Sequence, residues 1–436
     1  MKARLVAALL AVATACGDDG AHDAQEIPCD ISQERCRNAI FGLTARIREQ
    51  RRARMPPSRI ITRDQYADET RKEIAMQMVD DKGRQYEQAL RLLKLLPEGS
   101  SAGEAMADSN IEGVAAYYAS DTKAVTIIAD AAEDAYSGSL TLSHEYVHAL
   151  QDEREGLDRV AQTARSTDQI MAETSLIEGE ATILSDAAMS EAQGLDYDYA
   201  GSVSPYLDRL LKRLLMDIAD SPAPFTEGQF VLPYPVGGRP LAIAYDKSGA
   251  PGVAAYFKER PDTLAEWIDP TRSGLPAAQR CASPDAPAGY ARIGLDSFGA
   301  TGLIALEVVA GADGPTAYEN ARAWAADSVA VFAPLDQSIQ AAVAWRITLI
   351  DPSAAAALAT RLSAKNLGLA LAQQGAELVI TAASAPDVMA SWTVRDECST
   401  TKSLEEPSAL WPQLPRYFGR LMKQSGAEGG TRTRMP

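Results

Sequence analysis

The spacing of apolar residues along the chain predicts mainly helices. Five leucines between residues 86 and 96 recur at helical intervals, and the Pro97-Glu98-Gly99 sequence should end that helix. Asp64, followed by further acidic residues, is typical of a helix start. The same reasoning predicts a mainly helical segment at 30–95 and further helices at 137–153, 167–193, 205–218 and 353–363.

Strands are predicted where β-branched and aromatic residues concentrate. Residues 113–129 contain two apolar runs around a short polar turn, which is typical of a β-hairpin. Further strands are predicted at 345–350 and 376–382. The segment 231–238 contains two prolines and two glycines and predicts a loop. A few strands among long helices indicate an α+β fold that is mostly helical.

Composition and charge narrow the possible functions. Of the 436 residues, 46% are hydrophobic and 23% are charged, which is ordinary for a globular protein with a sizeable core. The formal net charge of -17 opposes binding to phosphate backbones, so we expect no nucleic-acid partner. No apolar run is long enough for a membrane-spanning helix, which argues against an integral helical membrane protein.

The N-terminus has the composition of an export signal. Basic residues precede an uncharged apolar run at 5–15, which is too short to span a bilayer permanently. Residues 13–16 resemble a bacterial lipobox, and this resemblance implies cleavage before Cys16 and a lipid anchor on its sulfur. A plain secretory signal cut near Ala15 would instead leave a secreted, soluble product. We expect a protein of the cell envelope, anchored at a membrane through Cys16 on the periplasmic or outer-membrane face.

Cysteine usage agrees with an oxidising compartment. Apart from Cys16, the chain has four cysteines, an even number that allows two disulfides in three possible pairings. We favour a local bridge between Cys29 and Cys36 and a long-range bridge between Cys281 and Cys398. A zinc site made of these four residues is the alternative, although no CxxC pair is present to form it.

The sequence His144-Glu145-Tyr146-Val147-His148 carries the most specific chemical signal in the chain. It matches the HExxH pattern, and on the predicted helix the two histidines lie on one face, one turn apart. Both imidazoles can then bind one Zn²⁺ ion, while Glu145 acts as the general base on zinc-bound water. Two structural histidines on an amphipathic helix are the alternative interpretation.

A catalytic zinc ion needs a third protein ligand. It should be a carboxylate, because the only other histidine lies in the predicted N-terminal tether. The residues Glu178-Gly179-Glu180-Ala181 resemble the Glu-Gly-x-Ala element that supplies this ligand in the thermolysin-like and aminopeptidase-like metallopeptidases, the gluzincins. By position, the resemblance makes Glu178 the ligand. Glu180, which points about 200° away on the same helix, is the alternative.

Further short elements resemble a group of little-characterised exported HExxH proteins. They are His-Ala-Leu-Gln-Asp from the second motif histidine onward, and Pro233-Tyr234 with Gly237 downstream. The resemblance implies a zincin-like core with an active-site helix, a small antiparallel sheet and a second, glutamate-bearing helix, followed by a mixed α/β C-terminal region. It also implies that an extended peptide binds by strand addition along the 113–129 hairpin.

Two residues are candidates for supporting roles. Tyr234 is the candidate donor to a tetrahedral oxyanion, with Arg239 as the alternative, because no histidine remains for this role. Asp152, four residues past His148, is placed to accept the second imidazole N–H. A loop tyrosine that packs on the domain and a surface aspartate near a helix end are the simpler interpretations.

Together these features predict a zinc-dependent metallopeptidase that hydrolyses extracytoplasmic peptides or proteins. The alternatives are a non-catalytic zinc-containing envelope lipoprotein and a metal-dependent hydrolase of a non-peptide amide. An intact Glu145 favours an enzyme, because a structural zinc site has no use for a base. We divide the chain into a signal peptide (1–15), a lipidated cysteine and tether (16–28), a helical and zincin-like metal-binding core (29–220), an α+β C-terminal region (221–423) and a disordered tail (424–436).

Overall fold

The computed structural model describes residues 26–77, 81–132, 134–157, 166–272, 285–336 and 340–392. The predictions for the signal peptide, for Cys16, for the Cys281–Cys398 bridge and for the tail all lie outside these described residues. Helices outnumber strands, which confirms the prediction of a mostly helical α+β fold. Among the described residues, no helix has the length and the apolar character needed to cross a membrane.

The helices, in chain order, are α1 (Glu34–Ile47), α2 (Arg63–Gln77), α3 (Asp81–Leu92), α4 (Ala102–Gly113), α5 (Ala135–Glu155), α6 (Thr167–Ala192), α7 (Ser204–Asp220), α8 (Pro224–Val231), α9 (Pro233–Ala255), α10 (Leu264–Ile268), α11 (Gly299–Val309), α12 (Gly314–Ala321), α13 (Pro352–Lys365) and α14 (Pro386–Ser391). The strands are β1 (Ser58–Ile61), β2 (Ala116–Ala119), β3 (Ala124–Ile128), β4 (Tyr290–Asp296), β5 (Trp324–Pro334), β6 (Ala342–Leu349), β7 (Ala370–Gln374) and β8 (Glu377–Ala383).

A small three-stranded sheet lies beside α5. Its order is β1-β3-β2, with β2 antiparallel and β1 parallel to the central strand β3. The predicted hairpin is therefore confirmed, and β2 forms an edge of the sheet. The helical prediction for 30–95 is wrong at β1, where four residues are strand because β3 supplies the hydrogen-bonding partner. The helix predicted to end at Pro97 stops earlier, at Leu92.

The segment 231–238, predicted as a loop, is helical. It forms the end of α8 and the start of α9. Pro233 and Pro235 lie in the first turn of α9, where the missing backbone N–H has no intrahelical partner to lose. A break occurs later in α9, at Gly249, whose φ of 62° is left-handed.

The N-terminal helix α1 is fastened to α5. The predicted disulfide between Cys29 and Cys36 is confirmed. It links Cys29, which lies before α1, to Cys36 near the start of α1. The backbone N–H of Cys29 donates to Ser139 Oγ on α5, at 3.1 Å. Further along the same contact, the rings of Phe41 and Tyr146 meet edge to face. Helix α1 is therefore held close to the HExxH segment.

A five-stranded antiparallel sheet in the order β4-β5-β6-β8-β7 forms the C-terminal part. The predicted strands at 345–350 and 376–382 are confirmed as β6 and β8, and the predicted helix at 353–363 is α13. The largest hydrophobic cluster runs from Ile74 to Ala382 and includes residues on both sides of position 220. The predicted boundary at 220 therefore does not separate two hydrophobic cores.

Candidate metal centre

Helix α5 carries the HExxH residues in its buried centre. The Asp134 side chain caps its start by accepting the backbone N–H of Tyr136, and Gly156, with φ of 70°, ends it. His144 and His148 lie one turn apart, both fully buried, and their ring centroids are 4.7 Å apart. The helix thus presents two imidazoles to one point, as the spacing predicted.

Glu178 on α6 completes this cluster. Its Oε2 atom lies 3.1 Å from His144 Nε2 and 3.4 Å from His148 Nε2. Ligands bound tetrahedrally to zinc at about 2.0–2.1 Å are roughly 3.3 Å apart, so these spacings fit one shared ion. His148 Nε2 and Glu178 Oε1 form no hydrogen bond in the structure, although both atoms are buried. A metal ion would satisfy these polar atoms.

The charges of the cluster are strongly coupled without a metal. Burial by itself would lower the pKa of His148, but the negative charge of the neighbouring Glu178, with a smaller contribution from Glu145, outweighs it and raises this pKa to about 9. Burial would raise the pKa of Glu178, but His148 and His144 lower it to about 2. An ion bound at Nε2 would displace the proton that this raised pKa keeps on His148 at neutral pH.

Glu145 lies beside these ligands with its carboxylate held by the edge strand. The backbone N–H of Tyr118 on β2 donates to Glu145 Oε2 at 2.7 Å. One polar atom each from His144, Glu145 and His148 all fall within 4.8 Å of one another. Burial raises the pKa of Glu145 well above its ordinary value, although the charge of His148 opposes this. A raised pKa makes this carboxyl group hold a proton more readily than an ordinary glutamate, as a group that accepts and returns a proton must.

Tyr234, near the start of α9, also reaches the site. Its ring centroid is 6.0 Å from that of His144. Burial, and then the charges of Glu178 and Glu145, raise the pKa of its hydroxyl well above the usual range, so the group stays protonated. The hydroxyl makes no hydrogen bond of normal geometry, although Glu178 is close enough to influence it.

Arg239, the alternative candidate for that role, lies elsewhere. Its side chain is 44% exposed and pairs with Asp208 at 3.0 Å. On a helix, five residues place it far around the axis from Tyr234. The prediction that Arg239 backs up Tyr234 at the site is therefore wrong.

The hydrogen-bonding partner of His148 differs from the predicted one. His148 Nδ1 lies 2.8 Å from Gln151 Oε1, three residues along α5, and not against Asp152. Asp152 is buried and accepts instead from the Tyr118 hydroxyl and from Lys123 Nζ, both at 2.6 Å. Asp152 therefore ties the β2–β3 hairpin to α5, and the prediction that it supports a metal ligand is wrong.

Glu180, the alternative third ligand, faces away from the cluster. Its carboxylate forms an ion pair with Arg48, the residue that follows α1, and accepts from Gln151 Nε2 at 2.8 Å. Neither Gln151 nor Arg48 is predicted from the sequence as part of this site. Gln151 is part of the His-Ala-Leu-Gln-Asp element, and its position three residues after His148 could have indicated contact. No sequence signal links Arg48 to residues about a hundred positions downstream.

A backbone-to-backbone contact sets the positions of Glu178 and Tyr234. A Cβ atom on Gly237 of α9 would lie 1.7 Å from the carbonyl oxygen of Ser175 on α6. A Cβ atom on Gly179 would lie 2.5 Å from the carbonyl carbon of Gly237. Only glycine allows the two helices to come so close. Gly179, next to Glu178, and Gly237, three residues after Tyr234, therefore bring both side chains to the same site.

The site is closed to solvent. His144, Glu145, His148 and Glu178 are each at most 1% exposed. The edge strand is covered as well, since Ala116, Tyr117 and Tyr118 of β2 are buried. Strand β2 therefore has the edge position needed for strand addition, but this conformation leaves no open groove along it.

Comparison of the chain with protein-family models, with curated proteins and with solved structures finds no match.

Proposed function

We propose that this protein is a zinc-dependent metallopeptidase of the gluzincin type that hydrolyses extracytoplasmic peptides or proteins. The observation that carries the proposal is the convergence of three atoms: the Nε2 atoms of His144 and His148 lie within 3.4 Å of Glu178 Oε2. Two imidazoles and one carboxylate leave the fourth tetrahedral position of a zinc ion open, as catalytic sites require.

The residues around this point have distinct roles. A bound zinc ion would act as a Lewis acid toward the scissile carbonyl and would acidify water. Glu145 takes a proton from the attacking water while the water oxygen bonds to the carbonyl carbon. It then returns this proton to the leaving nitrogen as the C–N bond breaks. The hydrogen bond from Tyr118 N–H keeps this carboxylate in place. The hydroxyl group of Tyr234 donates a hydrogen bond to the developing oxyanion.

Export is part of the proposal. The Cys29–Cys36 disulfide supports an oxidising compartment, because such bonds rarely persist in the cytosol. Together with the lipobox-like residues before Cys16, it favours an envelope protein held at a membrane by a lipid.

One observation favours a second candidate function, a non-catalytic zinc-containing envelope lipoprotein. The metal-binding residues are almost completely buried, as in structural zinc sites, and a peptide cannot reach them in this conformation. Turnover requires a conformational change that exposes these residues to a peptide. The two candidates differ in whether the metal-loaded protein cleaves peptides.

The test combines metal analysis with peptide cleavage by the soluble chain from Gly17. We expect about one zinc per chain in the parent and in Glu145→Gln. Hydrolysis of casein or a peptide library should fall by about 10²–10⁴-fold in the variant, because only the base is lost. Glu153→Gln is the matched control, since Glu153 is an exposed residue on the same helix.

Each other outcome has a defined meaning. A parent protein without metal contradicts the proposal. Zinc in the parent without cleavage supports the non-catalytic alternative. Equal cleavage by the parent and Glu145→Gln would trace the hydrolysis to a contaminant.

A further inference from the structure

A row of buried polar side chains connects His148 to helix α1. It passes through Gln151 of α5 and Glu180 of α6 to Arg48, the residue that follows α1, and these three are each at most 3% exposed. Arg48 Nε and Nη2 donate to the two carboxylate oxygens of Glu180, both at 3.1 Å. Gln151 Nε2 donates to Glu180 Oε2 at 2.8 Å, and Gln151 Oε1 lies 2.8 Å from His148 Nδ1.

The direction of these hydrogen bonds is fixed by two acceptors of the Gln151 amide, the Glu180 carboxylate that Arg48 pairs and the backbone carbonyl of Ile177. Arginine has only donors, so the paired Glu180 carboxylate acts as an acceptor. Gln151 must then turn its NH₂ group toward Glu180, and the second hydrogen of that group goes to the carbonyl of Ile177 at 2.8 Å. Its carbonyl oxygen is left to face His148, which must donate from Nδ1.

This polarity selects one tautomer of His148. With the proton on Nδ1, the neutral ring has its lone pair on Nε2, the atom that lies 3.4 Å from Glu178 Oε2. Nε2 is therefore the atom available to a metal ion. If the Gln151 amide turned over, its NH₂ group would face Nδ1 and favour the tautomer with the proton on Nε2. A protonated Nε2 has no lone pair and cannot bind a metal ion.

We propose that Arg48 is a positioning residue of the metal centre. Through Glu180 and Gln151 it holds His148 in the tautomer and orientation that bind the ion, and this inference rests on the proposed zinc function. Helix α1, which precedes Arg48 and lies about a hundred residues before the motif, is then part of the metal site. It is not merely a neighbour of α5.

Stability alone is a poor explanation for this buried pair. Removing two charges from water is costly, and replacing a buried ion pair by apolar residues of similar size is often neutral or favourable. The Glu180 carboxylate, held by Arg48, reinforces the donor and acceptor order that the Ile177 carbonyl also sets on Gln151, and an apolar residue at position 180 could not do this. Outer contacts of this kind tune metal affinity in zinc sites.

The test is the double variant Arg48→Met/Glu180→Leu, which removes both charges and so leaves no unpaired buried ion. Zinc affinity is measured by competition with a chromophoric chelator, and Co²⁺ replaces zinc to record the d–d absorption spectrum. We expect the zinc Kd to rise by about 10–100-fold and the Co²⁺ spectrum to change. The melting temperature of the metal-free protein is measured in parallel.

Arg46→Met is the matched control. Arg46 lies at the end of the same helix and also pairs with a glutamate of α6, Glu191, but its side chain is 45% exposed. Its loss should leave the zinc Kd within about twofold of the parent, because exposed ion pairs contribute little.

Gln151→Met is a second variant that removes the link between His148 and Glu180 and keeps the Arg48–Glu180 pair. We expect the same loss of zinc affinity.

If the Arg48–Glu180 ion pair is purely structural, the double variant and Gln151→Met should lower the melting temperature but keep the zinc Kd and the Co²⁺ spectrum of the parent. That result would overturn the positioning role and leave the proposed function standing. If the double variant does not fold, Gln151→Met decides by the same two readouts. A parent protein that binds no metal would overturn the proposed function together with this inference.

Discussion

Tyr234 is the residue of the site whose role can be isolated most cleanly. It makes no hydrogen bond of normal geometry, and its ring packs beside His144 without being one of the three converging ligands. Its raised pKa keeps it a donor. In the proposed reaction, such a hydroxyl would stabilise the oxyanion that develops as water adds to the scissile carbonyl.

Tyr234→Phe should therefore lower kcat while binding of metal and substrate stays nearly constant. We expect a loss of about 10²-fold or more in kcat, with KM and zinc content close to the parent values. Steady-state kinetics on a peptide substrate, with zinc analysis of the same preparation, measure this. Loss of zinc in the variant would instead make Tyr234 part of the metal-binding structure.

Asp152 and Gln151 are the two residues of α5 that could contact His148 Nδ1. Both follow His148 at helical spacing, so the sequence alone allows either as its partner. The hairpin decides between them, because Tyr118 and Lys123 both donate to Asp152. Gln151 is therefore the residue that contacts His148 Nδ1, and its amide NH₂ group donates to Ile177 and Glu180 of α6.

At the scale of helices, the crossing of α6 and α9 shapes the site. Gly179 and Gly237 allow backbone contact, and each follows shortly after a functional side chain. Helix–helix distance and site geometry are therefore coupled. A side chain at this crossing would push Glu178 and Tyr234 apart.

Gly237→Ala tests this coupling. The new methyl group would overlap backbone at Ser175, which cannot rotate away, so we expect a loss of about 1–3 kcal/mol or more in the free energy of unfolding, together with weaker zinc binding. Urea unfolding and chelator competition measure the two effects.

Gly42→Ala is the matched control for this substitution. Gly42 lies inside α1, and a Cβ atom there would meet no other atom within 4 Å. We expect a gain of up to about 1 kcal/mol, because alanine favours a helix more than glycine does. Equal effects of the two substitutions would contradict the importance of the close crossing.

At the scale of the whole molecule, the metal centre depends on elements from distant parts of the chain. Its residues come from α5, α6 and α9, with Arg48 just after α1. Helix α3 packs against the C-terminal sheet, where Gln88 Nε2 donates to Ser384 Oγ at 2.9 Å. The continuous core described above joins these parts across position 220.

A chain of residues 26–220 should therefore fail to fold alone. It lacks α9, so the faces of α6 and α7 that α9 covers would be exposed to water. We expect no cooperative thermal transition by circular dichroism and no stoichiometric zinc, whereas residues 26–392 should show both. A cooperative transition in the shorter chain would mean that 26–220 forms a domain of its own.

The sequence by itself determined the local features of this protein. The spacing of apolar residues placed α5 and α6 to within two residues at each end, and the spacing of His144 and His148 required them to share a helix face. The nearby cysteines Cys29 and Cys36 were likewise paired correctly. These features depend on residues a few positions apart, so their geometry follows from backbone rules.

Only the tertiary structure decided the rest. The strand β1, the helical state of 231–238, the choice of Gln151 over Asp152 and the role of Arg48 all depend on partners far away in the chain. Long-range contacts supply hydrogen bonds and close packing that outweigh weak local preferences. Local sequence therefore placed the two histidines of the candidate metal centre, while the packing of distant helices decided which side chains surround them and that water is excluded.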